Sequence, residues 1–300
     1  MPLIYGLNNF YLLVNGIFLN FIANSSVREQ ESNKRYSRFS VEIKPIQSIW
    51  SIESIDESIL MNVNSEITIS VDGNPISTHK DATILEAIDE TGLEIPIICL
   101  SSVTTPEGIC RQCVVEVDGW NRLVPSCLTR VSPGMVVYTK SERVVRTRRT
   151  ILEMLSASVD LSESPELLKQ IKTYNADPDR FIGAKKKSQD ILDDNPFFVR
   201  DYGKCILCWR CAQACGDDMQ FTYSLSIGGR GFDSRIATFF DSPMPETTCV
   251  FCGNCVAVCP TNALKDKTEY LLDLGKDYDQ IRNERRKDWK NRSSRRPQDE

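Results

Sequence analysis

Twelve cysteines in three tight groups carry most of the chemistry this 300-residue chain can do. Cys99, Cys110, Cys113 and Cys127 form the first group, Cys205, Cys208, Cys211 and Cys215 the second, and Cys249, Cys252, Cys255 and Cys259 the third. No cysteine precedes Cys99, follows Cys259 or falls between Cys127 and Cys205. Six disulfides are one use for twelve thiols, but disulfide frameworks belong to small, loop-rich chains without much core. A 34.0 kDa chain that is 41% hydrophobic can bury two or three modest cores and is not of that kind. Thiols clustered in fours are instead ligands for a soft metal or an iron-sulfur cluster.

The second and third groups share one spacing, C-x2-C-x2-C-x3-C, and Pro260 follows the last ligand. This is the run of bacterial ferredoxins, in which three cysteines on a tight loop grip a cubane and the fourth serves the other cluster. On that rule Cys205, Cys208, Cys211 and Cys259 hold one [4Fe-4S] cluster, and Cys215, Cys249, Cys252 and Cys255 hold a second. Zinc uses paired C-x2-C elements but has no need of a third cysteine two residues on, or a fourth three residues later. Pro260 directs the chain away after the last thiol.

The first group reads C-x10-C-x2-C-x13-C, four thiolates for a [2Fe-2S] cluster. Gly108, just before Cys110, permits a close backbone approach to inorganic sulfide, and loop amides there tune the potential by hydrogen bonding. The first gap is longer than the C-x4-C of plant-type ferredoxins.

The elements that must position these groups are legible in part. EITISV (66–71) alternates like a half-buried strand, Asp72-Gly73-Asn74 turns the chain, and a second strand returns through Ile76. Thr83 with Glu86 makes a capping box for a helix whose apolar face is Ile84, Leu85 and Ile88, and Gly92 ends it. VVEV (114–117), RLVPS (122–126) and MVVYT (135–139) read as further strands, so residues 61–140 are expected to form a β-grasp domain. Ser141 caps a helix carrying Val144, Val145, Ile151, Leu152, Leu155 and Val159 on one face, and Arg143, Arg146, Arg148 and Arg149 read as its solvated face. Ser164 and Pro165 open a shorter helix through Tyr174 as cap and first residue. The expected architecture is α+β: a helical linker over 141–195, a two-cubane ferredoxin domain over 196–264, and a charged tail over 265–300.

Residues 1–60 lack strong periodicity. The first 27 residues carry no charged side chain, and the apolar run from Leu3 to Ile22 raises a signal peptide or membrane span. Against this stand the missing basic flank, the interrupting Asn8, Asn9, Asn15 and Asn20, and the lack of a small-residue cleavage site. A start at Met61 is a further reading. The net charge of -5 and pI near 5.2 offer no basic footprint for nucleic acid.

The order of the three sites from Cys99 to Leu264 resembles the iron-sulfur portion shared by three families. These are the large iron-sulfur subunit of respiratory NADH dehydrogenase, the diaphorase subunit of NAD-linked hydrogenases, and the N-terminal part of formate dehydrogenase catalytic subunits. FFVRDYGKCILCWRC, RGF at Arg230 to Phe232, and CVFCGNCVAVCPTNAL look most similar to formate dehydrogenase. Many members bind a further [4Fe-4S] cluster through H-x3-C-x2-C-x5-C, and this chain has no such segment between Cys127 and Cys205. Its single histidine, His79, reads as an ordinary hairpin residue. That departure leaves open whether the [2Fe-2S] site exchanges electrons with the cubanes within the chain or through a partner.

No strand-G-x-G-x-x-G-helix and no nucleophile-base arrangement occurs, and Gly228, Gly229 and Gly231 fall where a loop or hairpin is expected. The chain is therefore expected to relay electrons without a substrate site of its own. The resemblance implies two partners: a flavoprotein that oxidises NAD(P)H and a molybdenum/tungsten or nickel/iron catalytic subunit. NADH dehydrogenase (quinone), or a cluster-based redox sensor or structural metal protein, is the alternative. Clusters built on reduced thiols imply a cytoplasmic protein.

Overall fold

The structure, a computed structural model, describes backbone at residues 4–6, 9–14 and 17–22 and over 66–293, with side chains from 66 to 287. The chain divides into two compact units, Met1–Asn62 and Val63–Glu300. In the first, β1 (Ile4–Gly6), β2 (Asn9–Val14) and β3 (Ile17–Ile22) make an antiparallel meander in chain order. The apolar run that raised a signal peptide or membrane span is thus extended. Among the described residues no helix is long and apolar enough to cross a membrane. Residues 23–65, with the alternative start at Met61, lie outside the described residues.

The second unit opens with the expected hairpin, β4 (Glu66–Val71) and β5 (Asn74–His79). Asp72 and Gly73 both take positive φ, 48° and 86°, the backbone that a two-residue turn matched to strand twist requires. The Asp72 carboxylate accepts from the Thr139 backbone N–H at 2.8 Å, which ties the turn to the far end of the domain. Helix α1 (Ile84–Asp89) carries the capping box read from Thr83 and Glu86. Strands β6 (Val114–Val117), β7 (Val124–Pro125) and β8 (Val136–Tyr138) complete a five-stranded sheet ordered β5-β4-β8-β6-β7. Only β4–β8 is parallel. The segment RLVPS yields two paired residues, Val124 and Pro125, rather than five.

Ile69, Val71, Ile84, Ile88, Val115 and Val137 form the core between sheet and helix. Cys113 and Cys127 belong to the same cluster, so the apolar core fixes two of the four first-group thiols directly. His79 is exposed at the end of β5, as an ordinary hairpin residue would be.

Helix α2 (Glu142–Ser158) starts at Ser141, whose hydroxyl accepts from the Val144 N–H. Its arginines are not all solvated: Arg148 is 2% exposed and donates to the Thr139 and Val114 carbonyls and the Tyr174 hydroxyl. Arg149 donates to the Tyr174 carbonyl. A long guanidinium stem can cross apolar surface to reach carbonyls left over at strand ends, which single-sign patterning does not reveal. Helix α3 (Pro165–Thr173) places proline in its first turn as expected, but Ser164 makes no cap bond. Its hydroxyl donates instead to the Pro260 carbonyl at 2.6 Å, linking the helical segment to the residue after the last cysteine.

The cubane segment is closed by a two-stranded antiparallel sheet, β9 (Phe198–Arg200) with β12 (Leu264–Asp266), which brings the chain before Cys205 to the chain after Cys259. Between them lie α4 (Arg210–Cys215), the hairpin β10 (Ser226–Gly228) and β11 (Arg235–Ala237), and α5 (Asn254–Ala257). That hairpin holds the glycines expected at a turn, and Gly229 has φ +77° with the Asp233 carbonyl where a Cβ would stand. Helices α6 (Lys267–Asp273) and α7 (Tyr278–Ser293) follow.

Lys265, the first residue of the expected charged tail, is 5% exposed within β12 and pairs with Glu163, as does Lys204. Burial alone would raise the Glu163 carboxyl, yet the two ammonium groups hold it at about 2. Glu163 thus stitches the segment before α3 to both flanks of the cubane segment. Glu163→Gln should destabilise the folded protein by about 1–2 kcal/mol at pH 7, since both lysines keep other partners in Asp201 and Asp273. The gap should narrow below pH 4.5, where the unfolded chain takes up a proton that the folded carboxylate refuses until about pH 2. Denaturant unfolding of both proteins across that range checks it.

Candidate iron-sulfur sites

The loop from Cys99 to Cys113 and the turn at Cys127 bring four thiols to one end of the five-stranded sheet. Cys99, Cys113 and Cys127 are buried and Cys110 is half-buried. The thiols fall into two pairs. Cys113 Sγ lies 3.4 Å from Cys127 Sγ, too far for a disulfide, and Cys110 is hydrogen-bonded to Cys99. In each pair the partner thiol lowers one member to about 6, Cys110 and Cys113 respectively, and the other is raised. The Gln112 N–H points at Cys110 Sγ at 3.5 Å. The Gln112 side chain, fully buried and next to Cys113 in sequence, has neither amide atom hydrogen-bonded, and the buried Ser126 hydroxyl acts on the Cys113 thiol.

The two ferredoxin runs repeat one backbone device. Leu207 and Trp209 in the first, and Phe251 and Gly253 in the second, occupy matching positions at φ of 58°, 73°, 56° and 81°. Left-handed residues between ligands turn successive amides toward sulfur. Leu207 and Arg210 N–H groups reach Cys205 and Cys208, and the Phe251 N–H reaches Cys249 Sγ at 3.4 Å. The Ser224 N–H donates to Cys215 Sγ at 3.2 Å.

Neighbour relations cross between the runs. Cys205, Cys208, Cys211 and Cys259 line one cavity with Tyr202, Trp209 and Ile236. Cys215 acts electrostatically on Cys249 and on Cys255, whose other thiol neighbours are Cys249 and Cys252. Burial pushes Cys208 and Cys255 up to about 12 and Cys211 further, with adjacent thiols adding to the effect. Such thiols give up their protons only to a strongly bound cation.

The residues suit iron-sulfur clusters. Each site offers sulfur ligands and amides directed at sulfur, and the buried Gln112 amide beside Cys113 in sequence has no protein partner. A tetrahedral zinc takes four ligands and leaves the third and fourth cysteines of each C-x2-C-x2-C-x3-C run without a role, whereas two cubanes use all eight thiols.

The first-group loop and the first cubane run are in direct contact. Arg210 donates to the Leu100 carbonyl at 2.5 Å and Gln213 to the Thr105 carbonyl at 2.7 Å. Thr105 in turn donates through its N–H and hydroxyl to the Asp218 carboxylate at 2.8 and 2.7 Å. Cys110, Cys208 and Ile206 pack on one apolar cluster of Ile98, Leu152, Val159, Leu161 and Leu167. Sequence reading missed these clasp residues, although the ten-residue gap after Cys99 and the arginine inside C208-x2-C211 were signals.

Fold and thiols define an iron-sulfur protein of two modules. Residues 64–142 match the family described as 2Fe-2S iron-sulfur cluster binding domain, and residues 204–263 that described as 4Fe-4S dicluster domain. The chain is 36% identical over 227 residues to the NADP-reducing hydrogenase subunit HndD of Solidesulfovibrio fructosivorans, covering 70% of this chain and 37% of that protein. It is 29% identical over 213 residues to the mitochondrial NADH-ubiquinone oxidoreductase 78 kDa subunit of Candida albicans, covering 68% of this chain and 29% of that one. A chain in the crystal structure of an NAD+-reducing [NiFe]-hydrogenase in the H2-reduced state superposes with a TM-score of 0.61 at 29% identity, covering 68% of this chain and 88% of that one. The chain is thus a homologue of iron-sulfur subunits of NAD(P)-linked hydrogenases and NADH dehydrogenases, and it spans well under half the length of the curated relatives quoted.

Gly108 stands at φ +62°, and a Cβ there would lie 2.5 Å from Leu128 Cδ1. Gly108→Val should therefore strain the turn into Cys110 by about 1 kcal/mol or more. Lower [2Fe-2S] absorbance and circular dichroism per chain, with the cubane signals retained, is the expected result.

Proposed function

We propose that this chain is the electron relay of an NAD(P)-linked oxidoreductase complex. Cys99, Cys110, Cys113 and Cys127 would hold one [2Fe-2S] cluster. Cys205, Cys208, Cys211 and Cys259 hold one [4Fe-4S] cluster, and Cys215, Cys249, Cys252 and Cys255 a second. The observation that carries the reading is the crossing of the two runs: Cys259 lies with the first three thiols of the first run, and Cys215 with those of the second. Bound clusters of these types supply one-electron carriers that change oxidation state with little rearrangement.

The chain's own residues do the rest. Backbone amides aim at ligand sulfur and favour the more reduced, more negative state. Apolar packing around Cys205, Cys211 and Cys255, each 7% exposed, keeps water from the ligands. The clasp of Arg210, Gln213 and Asp218 on the 99–105 loop supports transfer within the chain between the [2Fe-2S] site and the first cubane site, without the histidine-ligated cluster of many relatives. Cys252 is exposed, which suits the second cubane site for exchange with a partner.

The partners in this reading are a flavoprotein that oxidises NAD(P)H and a metal-centred catalytic subunit, in the cytoplasm. The likeness to the NAD+-reducing [NiFe]-hydrogenase supports a nickel-iron catalytic subunit, and the sequence segments support a molybdenum or tungsten formate dehydrogenase. The likeness to the 78 kDa polypeptide of NADH-ubiquinone oxidoreductase favours an NADH dehydrogenase as the second reading.

Purified anaerobically, the protein should contain about ten irons per chain with matching sulfide. Cys211→Ser should remove one reduced-state cubane signal from the EPR spectrum and leave the [2Fe-2S] signal. Substantial zinc, or both cubane signals surviving, contradicts the assignment. Co-purification of a flavoprotein and a metal subunit tests the complex.

A further inference from the structure

The two cubane sites differ in the charge that surrounds them. Arg210, within the first run, acts on Cys208, and its hydrogen bond among the described residues is to the Leu100 carbonyl, with no ion pair. Its Nε is buried and unmatched. Lys187 acts on Cys205 from the neighbouring segment, and its Nζ also donates to a carbonyl, that of Ser234. A carbonyl accepts a hydrogen bond without cancelling charge, so two full positive charges stand beside the first set of thiols.

At the second site the basic group acting on Cys249 is Arg200, whose side chain is 3% exposed. Arg200 is neutralised: its Nη2 pairs with Asp194 at 2.5 Å while Nη1 donates to the Tyr202 hydroxyl. Asp194 is fixed in turn by the Met244 N–H at 2.8 Å and by Asn195. Burial alone would raise the Asp194 carboxyl, and these donors hold it below its ordinary value, so it is ionised at neutral pH.

We propose that Arg210 and Lys187 set the first cubane site at a higher reduction potential than the second, where the Arg200–Asp194 pair presents no net charge. A positive charge in a low-dielectric setting favours the more negative, reduced cluster, and both cubane sites share the same ligands and much of the same backbone. The sites also differ in exposure, Cys252 being exposed where Cys211 is buried, and the unlike charges are the difference that single substitutions can isolate. The first site, clasped to the [2Fe-2S] loop, becomes the place where an electron rests, and the second the one that passes it on.

This inference rests on the cluster assignment above. The test is a redox titration of the cluster-loaded chain followed by EPR, with the first-cubane signal identified by its loss in Cys211→Ser. In the unsubstituted protein the first-cubane signal should appear at the higher potential. Arg210→Gln and Lys187→Gln should each lower it, Arg210→Lys should restore it, and Asp194→Asn should raise that of the second cubane. A reversed order in the unsubstituted protein, or a first-cubane potential unmoved in both Arg210→Gln and Lys187→Gln, overturns the proposal. If iron content falls short of ten, the assignment itself fails; if it holds and the potentials do not move, only this inference fails.

Discussion

Four thiols pressed together in apolar surroundings are the constraint on which the rest of this molecule depends. Buried thiolates repel one another and lose hydration, so burial drives Cys208, Cys211 and Cys255 toward the protonated form. A positively charged iron core reverses that preference, which couples each site to its occupant more tightly than hydrogen bonds could. The scaffold therefore has to hold ligand loops in costly left-handed conformations and supply amides to sulfur. It does so by anchoring loops on packed elements: the β4–β8 sheet behind Cys113 and Cys127, and the β9–β12 pair on either side of the cubane runs.

The same constraint explains why the helical segment is not a passive tether. Arg148 satisfies strand-end carbonyls, Ser164 reaches the Pro260 carbonyl, and Glu163 bridges Lys204 and Lys265. Each contact joins a segment flanking the thiols of one module to the chain that supports another. Rigid spacing between redox sites is what a relay requires, since through-space transfer falls steeply with separation while nothing else in the chain need move.

The grouping of the candidate ligands was legible because cysteine spacing is written in the chain itself, and the structure gathers Cys205, Cys208, Cys211 and Cys259 on one cavity. The strands 66–71 and 114–117, the Thr83–Glu86 box and the Ser141 cap were legible because period and capping chemistry are local. What was not legible depends on long-range partners. Arg148 has the pattern of a surface residue and a buried environment, Ser164 has the pattern of a cap and bonds a residue 96 positions away, and Lys265 opens a charged stretch yet sits inside a strand. The clasp on the 99–105 loop belongs to the same class, because nothing near Thr105 in sequence announces Asp218. The apolar run at Leu3 was ambiguous for another reason, since hydropathy counts residues without regard to the strand pairing that asparagines at 9 and 20 take up.

The central claim is that electrons pass between the [2Fe-2S] site and the first cubane site inside one chain. Its most direct test is to inject a single electron into the anaerobic, cluster-loaded chain by a reducing pulse and follow redistribution between the two EPR signals by rapid freezing. The account predicts a rate that does not change as protein concentration is varied tenfold. A rate that rises in proportion to concentration would mean that electrons cross only between molecules, and would contradict it.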